Sequence, residues 1–516
     1  MNVIELKQVS KTFHKGLLFK PVPILKDLNF TVKSGEFVVL RGENGAGKTT
    51  VLNLILGLIK PSQGEVKLMG LPPQSSESKV QVGVVLQDTQ VPKNIKVKEL
   101  IELVRSYYPN RLSTSEILNK VNLTHKQDTC ATDLSGGQRQ RLYFALALAG
   151  NPSLLILDEP TRNLDDQGYE EFWEQIKICR QQGITILMVT NNKADWKKLE
   201  GLVTRTVVLQ KLSEVIEGEQ LQSHYYNPLA SFIQEKPRLY LEWATVGFPY
   251  FLNSELLDGL EDESEPELQQ PQQNIPLILL KQFWFETLQL VRTPSFLLAS
   301  ASGVLLLPLF KYAGLVSENA VKPLVSLCAV FLFTIIIELL GNRVAVERAE
   351  GWLKLLKATP LPSSVYIATK IATLLTLASV ILVLLFSVGI WQLEIHQTFE
   401  WWSKLFFTII IGLIPFGLLF LGLGYWLEPK SASTWLTLML LVAIFASGSM
   451  PIPTAPAYVQ DLIAVSPFYH YQQLVSWIAE FDYDNQLFLH LLWMVWAASA
   501  FGLFASWSYQ RDQVVQ

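Results

Sequence analysis

The distribution of charge divides this chain before any motif is read. From Pro294 to Gln516, 22 of 223 residues are charged, about 10%, whereas the first 293 residues hold 66, about 23%. A stretch so poor in charge, broken into apolar runs of near-spanning length, reads as membrane-embedded. The chain is therefore expected to be a soluble N-terminal half followed by a membrane half. Its 516 residues, 49% of them hydrophobic, suffice for two or three units. Disorder, a collagen repeat and a secreted disulfide scaffold are excluded. A net charge of −4 leaves no electrostatic footprint for nucleic acid. The cysteines, Cys130, Cys179 and Cys328, form no disulfide framework or metal cluster by spacing. Met1 to Ser10 alternates apolar and polar residues without a signal-type apolar core, so the first half is expected in the cytoplasm.

In the soluble half, residues 2–7 read as an edge strand that residues 30–32 continue. Residues 36–40 have the composition of a buried strand. Directly after them, Gly42-Glu43-Asn44-Gly45-Ala46-Gly47-Lys48-Thr49 fits G-x-x-x-x-G-K-[ST], and residues 50–58 are expected to be helical. The chemistry needs these residue types. Glycines let the backbone wrap a phosphate chain, with N–H groups and a helix N-terminus aimed at negative charge. Lys48 supplies a cation to the β- and γ-phosphates, and the Thr49 hydroxyl ligates Mg²⁺. A second apolar run, residues 154–157, delivers Asp158-Glu159 to the C-terminal edge of a parallel sheet, where ligands sit. There Asp158 holds Mg²⁺ through water and Glu159 polarises an attacking water.

Between the two lies Leu134-Ser135-Gly136-Gly137-Gln138-Arg139-Gln140-Arg141. These three motifs in this order resemble those of the ATP-binding cassette (ABC) ATPases, over about Asn2 to Leu212. The resemblance implies an α/β P-loop domain that binds ATP and Mg²⁺. Gly42 to Thr50 would hold the phosphates, with Thr50 the last contact, and Phe13 would stack on adenine. Gln87 would sense Mg²⁺ and the attacking water, and Asp165 would be the D-loop aspartate. Ser135, Gly136, Gly137 and Gln138 would open a helix facing the γ-phosphate held by another subunit. A single chain has one P-loop and one such helix, so the resemblance implies a dimer. One position departs from the family. After the strand over residues 184–189 the usual Thr-His is replaced by Thr190-Asn191. Asparagine donates a hydrogen bond but carries no positive charge. Hydrolysis is expected to be reduced but real, with Asn192 as a neighbouring candidate for rescue.

Residues 218–274 read as an accessory segment and linker. Glu255, Asp258, Glu261, Asp262, Glu263, Glu265 and Glu267 carry no basic partner between them, as in a solvated tether. Residues 276–292 suit a helix at the membrane surface. Six spans are then expected, over residues 294–310, 321–340, 365–390, 405–427, 434–450 and 487–507. Six crossings from a cytoplasmic ATPase return the C-terminus to the cytoplasm. The inner side would carry Lys281, Arg292, Arg343, Arg348, Lys354, Lys357, Lys430 and Arg511, against Lys311, Lys322 and Lys404 outside. Trp391, Trp401, Trp402 and Tyr425 fall at interfaces, as anchors do.

Residues 347–362 and 453–469 resemble two elements of the permease of type-two ABC exporters. These are an inner loop with a short helix that docks on the ATPase, and short helices at the outer face before the last span. This resemblance covers about Ile275 to Tyr509. Glu338, inside the second span, is expected to snorkel or pair with Arg343, and Lys370 lies near a span end. The whole reads as an α/β P-loop nucleotide-binding domain (1–217) and linker (218–274) followed by an all-α six-helix permease domain (275–516). Such a chain is a multi-pass half-transporter that exports an unidentified apolar or amphipathic substrate. Its partners would be a second chain, self or other, and membrane lipid. The alternative is a non-transporting membrane ATPase with a regulatory output.

Overall fold

The computed structural model describes residues 1–15, 20–211, 224–226, 273–293, 321–447, 456–480 and 485–511. Its first element is a long hairpin, β1 (Asn2–Lys15) with β2 (Lys20–Lys33), paired antiparallel with Ile4 opposite Val32. On the far side of β1 lies β4 (Gln63–Leu68), with Ile4 opposite Leu68. The expected edge strand is therefore the central strand of its sheet, and residues 30–32 pair against it instead of extending it. The alternation that buries Ile4 and Leu6 and leaves Lys7 in water reports which face is covered. It does not report how many neighbours the strand has.

The second sheet has the order β5-β6-β7-β3-β8-β9 and is parallel except for its last pair. Its strands are β3 (Phe37–Gly42), β5 (Val82–Val85), β6 (Leu154–Asp158), β7 (Thr185–Val189), β8 (Arg205–Leu209) and β9 (His224–Tyr226). Successive residues of β3 feed two different cores. Phe37 and Val39 join one that includes Leu100, Phe144 and Trp173, while Val38 and Leu40 join one shared with the hairpin and Leu52. A strand covered on both faces must be apolar throughout, as residues 37–40 are. Around the sheet stand α1 (Lys48–Ile55), α2 (Val97–Ser106), α3 (Thr114–Lys120), α4 (Gly136–Leu148), α5 (Asp166–Gln181) and α6 (Asp195–Leu199). Helix α1 is shorter than expected at its C-terminal end. Gly57 at φ +67° turns the chain against Pro73, where any Cβ would meet the Pro73 carbonyl oxygen at 2.3 Å.

Helix α7 (Ile275–Val291) follows, then α8 (Val321–Ile336), which runs through a π-helical turn, Ile337–Asn342, into α9 (Arg343–Ala349). After them come α10 (Trp352–Ala358), α11 (Ser363–Trp391), α12 (Phe399–Trp426), α13 (Pro429–Ala446), α14 (Ala457–Ala464), α15 (Pro467–Ile478) and α16 (Leu487–Arg511). Among the described residues, five helical stretches are long and apolar enough to cross a membrane: Leu324–Ala349, Ser363–Trp391, Phe399–Trp426, Pro429–Ala446 and Leu487–Tyr509. They match five of the six expected spans. The expected span over residues 294–310 lies outside the described residues, as do the acidic stretch 255–267 and residues 448–455. Val380, Phe407, Val442 and Leu503 are exposed on these helices, as a lipid-facing surface requires.

The two halves meet at α10. Trp352, Leu353, Leu355 and Leu356 are buried there, and Trp352 stacks on Phe285 of α7 with ring centroids 6.5 Å apart. Just before it, Gly351 at φ +74° lies so close to the cassette that a Cβ would be 2.9 Å from the Asp88 carbonyl oxygen. The Gln90 N–H donates to the Glu350 carbonyl at 2.7 Å. Helix α7 is clamped to α2 by a two-pronged pair, Arg292 to Glu99 at 2.8 and 3.0 Å, and by Tyr107 donating to Gln282 at 2.6 Å.

Charge buried near this joint escaped the sequence. Lys370, 3% exposed, sits 2.9 Å from Glu286 and 2.5 Å from Glu347. Arg343 also pairs with Glu286 and Glu347, at 3.1 and 3.4 Å. Arg343 is therefore not the partner of Glu338. Glu338 is exposed and accepts from Asn342 at 2.8 Å. Asn342 takes the Glu338 carboxylate, while the two buried carboxylates take Arg343. Lys370→Met leaves Glu286 and Glu347 short of a counter-charge in a dry site, and should cost about 3–5 kcal/mol of stability. Adding Glu347→Gln should recover much of that, since Arg343 still serves Glu286. Thermal unfolding of the detergent-solubilised single and double variants measures both effects. Equal losses in the two would contradict the network.

Candidate nucleotide site

The C-terminal ends of β3, β6 and β7 lie side by side, and each carries one part of the site. After β3 the chain turns through the glycine loop into α1. Gly47 is the N-cap of that helix at φ +99°, and a Cβ on it would press to 2.9 Å from Leu25 Cδ2, so only glycine serves. Lys48 is buried, and its Nζ donates to the Gly42 and Glu43 carbonyls at 2.6 and 2.9 Å. The ammonium is thus held over the loop's concave side. A cavity of about 670 Å³ opens there, lined by Asn44, Gly45, Gly47, Lys48, Thr49, Thr50, Gln87, Asp158, Glu159, Arg162 and Asn191.

Asp158 ends the fully buried strand β6. Burial, followed by the charge of Glu159, pushes its pKa up to about 7, with Lys48 opposing. Burial lowers the Lys48 pKa, while Glu159 and Asp158 act to raise it. Glu159 itself is in the left-handed region at φ +45°. Its N–H donates to the Val189 carbonyl at 2.8 Å, and its Oε2 accepts from Gln87 Nε2 at 2.9 Å. A non-glycine residue in that conformation is strained, and such strain gathers at functional sites. The hard oxygen donors Thr49, Gln87 and Asp158 face one cavity, a set that suits Mg²⁺.

Asn191 reaches the loop from β7. With its amide turned to satisfy both ends, the nitrogen donates to the Gly42 carbonyl at 3.2 Å and the oxygen accepts from Lys48 Nζ at 3.3 Å. Asn192 points elsewhere. Its Nδ2 lies 3.3 Å from Asp195 Oδ1 and 3.4 Å from Thr161 Oγ1. It is therefore no stand-in for Asn191 at the loop. Asp195 is completely buried and also accepts from Thr161 at 3.0 Å, Tyr169 at 3.1 Å and Thr190. This cluster ties the chain just after Glu159 to the chain just before Asn191. Sequence reasoning missed it, together with Arg162, which reaches Asp88 at 3.3 Å. The contributing residues are scattered over several segments, and only folding brings them together.

Other expected residues stand apart from the phosphate cavity. Ser135 N-caps α4 in a capping box, accepting from the Gln138 N–H and donating its own N–H to Gln138 Oε1. Ser135 and Gly136 are exposed, and Gly136 borders a neighbouring cavity of about 280 Å³. Asp165 N-caps α5 and lies beside Gly137. Phe13 is on β1, with the Lys11 ammonium 5.0 Å from its ring centroid, and is not on the cavity lining.

This geometry agrees with the comparisons. Residues 25–162 match the family described as ABC transporter, and residues 280–480 match ABC-2 type transporter. The chain is 37% identical over 205 residues to the Nod factor export ATP-binding protein I of Rhizobium meliloti, covering 38% of this chain and 60% of that protein. It is 35% identical over 224 residues to the protein of the same name from Rhizobium johnstonii, covering 42% of this chain and 68% of that one. The chain belongs to the ABC transporter family. An ABC ATPase and an ABC-2 permease are fused in it. The chain spans 60% to 70% of the length of the curated relatives it matches. Among solved structures, a dimeric post-hydrolysis state of the ATP-binding cassette MJ0796 with ADP and Pi is 28% identical, with a TM-score of 0.37, covering 40% of this chain and 96% of that one.

The Asp158 carboxyl yields a pH test in nucleotide-free protein with divalent cations chelated. Its pKa is higher in the folded state than in the unfolded one, so its contribution to stability is lost as pH rises from about 4 towards 7. Asp158→Asn removes that loss. The variant should be more stable than wild type at pH 8, and the gap should close near pH 4. Denaturation midpoints across that range decide it.

Proposed function

We infer that this chain is half of an ATP-driven exporter, working as a dimer, with the cassette (1–217) cytoplasmic and joined by a linker (218–274) to the permease (275–516). The observation that carries this reading is the seating of α10 and Gly351 on Asp88 and Gln90, immediately after Gln87. Gln87 holds the side chain of Glu159, so a change at the nucleotide passes through residues 87–90 to the membrane helices. Export is supported by the permease's ABC-2 match and by the names of the cassette's relatives, which are export ATP-binding proteins. The substrate that fits a path poor in fixed charge is apolar or amphipathic.

In this reading, Gly42 to Thr50 cradle the ATP phosphates and Lys48 neutralises them. Thr49, Asp158 and Gln87 hold Mg²⁺, which supplies charge stabilisation at the β- and γ-phosphates. Glu159 accepts a proton from the attacking water, with Gln87 fixing its orientation. Phe13 stacks on adenine. The exposed Ser135–Gln138 end of α4, with Asp165 beside it, closes the site of a second copy. That a single chain does not put Ser135 on its own phosphate cavity supports this exchange. Both termini lie in the cytoplasm. ATP-dependent substrate flux into vesicles bearing the reconstituted protein tests export. ATP turnover without flux across a broad lipid and drug panel would favour the regulatory ATPase.

Glu159→Gln should trap the ATP-bound dimer, since an amide keeps the side chain's shape without accepting the proton. Cysteines placed across the two cassettes should crosslink in ATP and far less in wild type. Unchanged steady-state turnover would remove Glu159 from this role. Asn191 supplies a neutral donor where the family has histidine. Charge-assisted hydrogen bonds are about twice as strong as neutral ones. A difference of ~1–3 kcal/mol in transition-state stabilisation is about 5- to 150-fold in rate. Asn191→His should raise ATP turnover within that range and leave ATP affinity nearly unchanged. A folded variant with equal or lower turnover would mean that the site is built around asparagine.

A further inference from the structure

Beside the joint lies a cavity of about 480 Å³ that the ATPase reading does not use. It is walled on one side by the cassette and on the other by the end of α10 and the start of α11. Lys79 lines it and is only 6% exposed. Its Nζ donates to the Lys357 carbonyl at 2.6 Å, and among the described residues it has no carboxylate partner. Burial, then the neighbouring charge of Lys357, brings its pKa down to about 8, so at neutral pH it remains largely a cation. A buried charge without a counter-ion is costly. Here it is retained, and its remaining N–H groups have no acceptor among the described residues.

Lys60 and Lys357 add two more ammonium groups to the lining, against one carboxylate, the exposed Glu77. Ser363 and Ser364 bring the first turn of α11, a 29-residue helix whose N-cap, Pro362, offers no side-chain acceptor to the free N–H groups. Such a helix start attracts anions through its dipole and its unsatisfied donors. Ser363 begins one helix long and apolar enough to cross a membrane, and Tyr509, also on the lining, ends another such stretch. The cavity therefore sits at the depth of lipid headgroups on the cassette side.

We propose that this cavity binds a phosphate group, from an anionic lipid headgroup or as free phosphate, through Lys60, Lys79, Lys357 and the first-turn N–H groups of α11. The bound group bridges cassette and permease, because Lys60 and Lys79 belong to one and the start of α11 to the other. Phosphate offers Lys79 several acceptors at once, where the Lys357 carbonyl supplies one.

The test uses the full chain in detergent with the P-loop filled by ADP and Mg²⁺, so that Lys48 does not report. Native mass spectrometry compares retention of phosphatidylglycerol with that of diacylglycerol, which lacks the phosphate. Thermal unfolding is followed in parallel against inorganic phosphate. If a lipid supplies the group, wild type retains phosphatidylglycerol and not diacylglycerol, and Lys79→Met weakens that retention about tenfold or more. If free phosphate supplies it, phosphate raises the wild-type Tm, and Lys79→Met abolishes the rise. Wild type and Lys79→Met alike in both measurements would overturn the proposal. Should Lys79→Met fail to fold, Lys60→Gln combined with Lys357→Gln carries the same comparison, because neither substitution buries a new group.

Discussion

One contact between the two halves leaves no room for a side chain. Gly351 lies against the Asp88 carbonyl, and the neighbouring Glu350 carbonyl accepts from Gln90. A Cβ at position 351 would have to displace backbone on the cassette side. Backbone yields less readily than a side chain, and a left-handed φ of +74° there already favours glycine. Asp88 follows Gln87 directly, and Gln87 is hydrogen-bonded to Glu159. The segment that meets Glu159 is therefore also the floor beneath Gly351, where α10 begins.

Around that contact the structure places charge where neither solvent would welcome it alone. Glu286 from α7, Arg343 and Glu347 from α9, and Lys370 from α11 pair in a dry cluster at the cassette end of the spans. Buried pairs add little net stability once desolvation is counted, yet they are severe on any arrangement that separates them. Three helices are thereby held to one relative placement. Tyr107, donating to Gln282 one turn before Glu286, extends the same set to α2 of the cassette. Arg348 works from the other side, donating to the Gly424 and Leu427 carbonyls at the C-terminal end of α12. Helices α7, α9, α11 and α12 are thus tied to one another beside α10.

The sequence made the phosphate chemistry legible because it is local. A glycine loop, its lysine and an acidic strand end are each contiguous, and each appears where expected. The apolar spans were readable for the same reason, since length and composition along one segment determine them. Contacts between segments were not readable. Alternation in β1 revealed a covered face but not β4 on its far side. Lys370 looked like a lysine near a span end, because nothing along the chain shows that Glu286 and Glu347 converge on it. The pairing expected for Glu338 with Arg343 failed because Glu286 and Glu347 claim Arg343, and nothing along the chain shows that Glu286 lies beside it. Asn192, adjacent to Asn191, looked interchangeable with it until Asp195 claimed its amide.

That last discrimination explains how a strained carboxylate is kept in place. A left-handed φ at Glu159 costs of order 1–3 kcal/mol. Its N–H bond to Val189 and its side-chain bond from Gln87 contribute, by usual magnitudes, about 1 kcal/mol each. Those alone leave little margin. Asp195, fully buried and accepting from Thr161, Thr190, Tyr169 and Asn192, anchors both chain segments that leave the sheet edge at Glu159 and Asn191. For Glu159 to relax, Thr161 would have to move, and Asp195 would lose a donor in a place water does not reach. A hydrogen bond lost by a buried charged group costs about 1.5–3 kcal/mol, of the same order as the strain that would be relieved. The cluster therefore does two things at once. It holds Glu159 in its strained conformation, and by occupying Asn192 it leaves Asn191 as the amide directed at the P-loop.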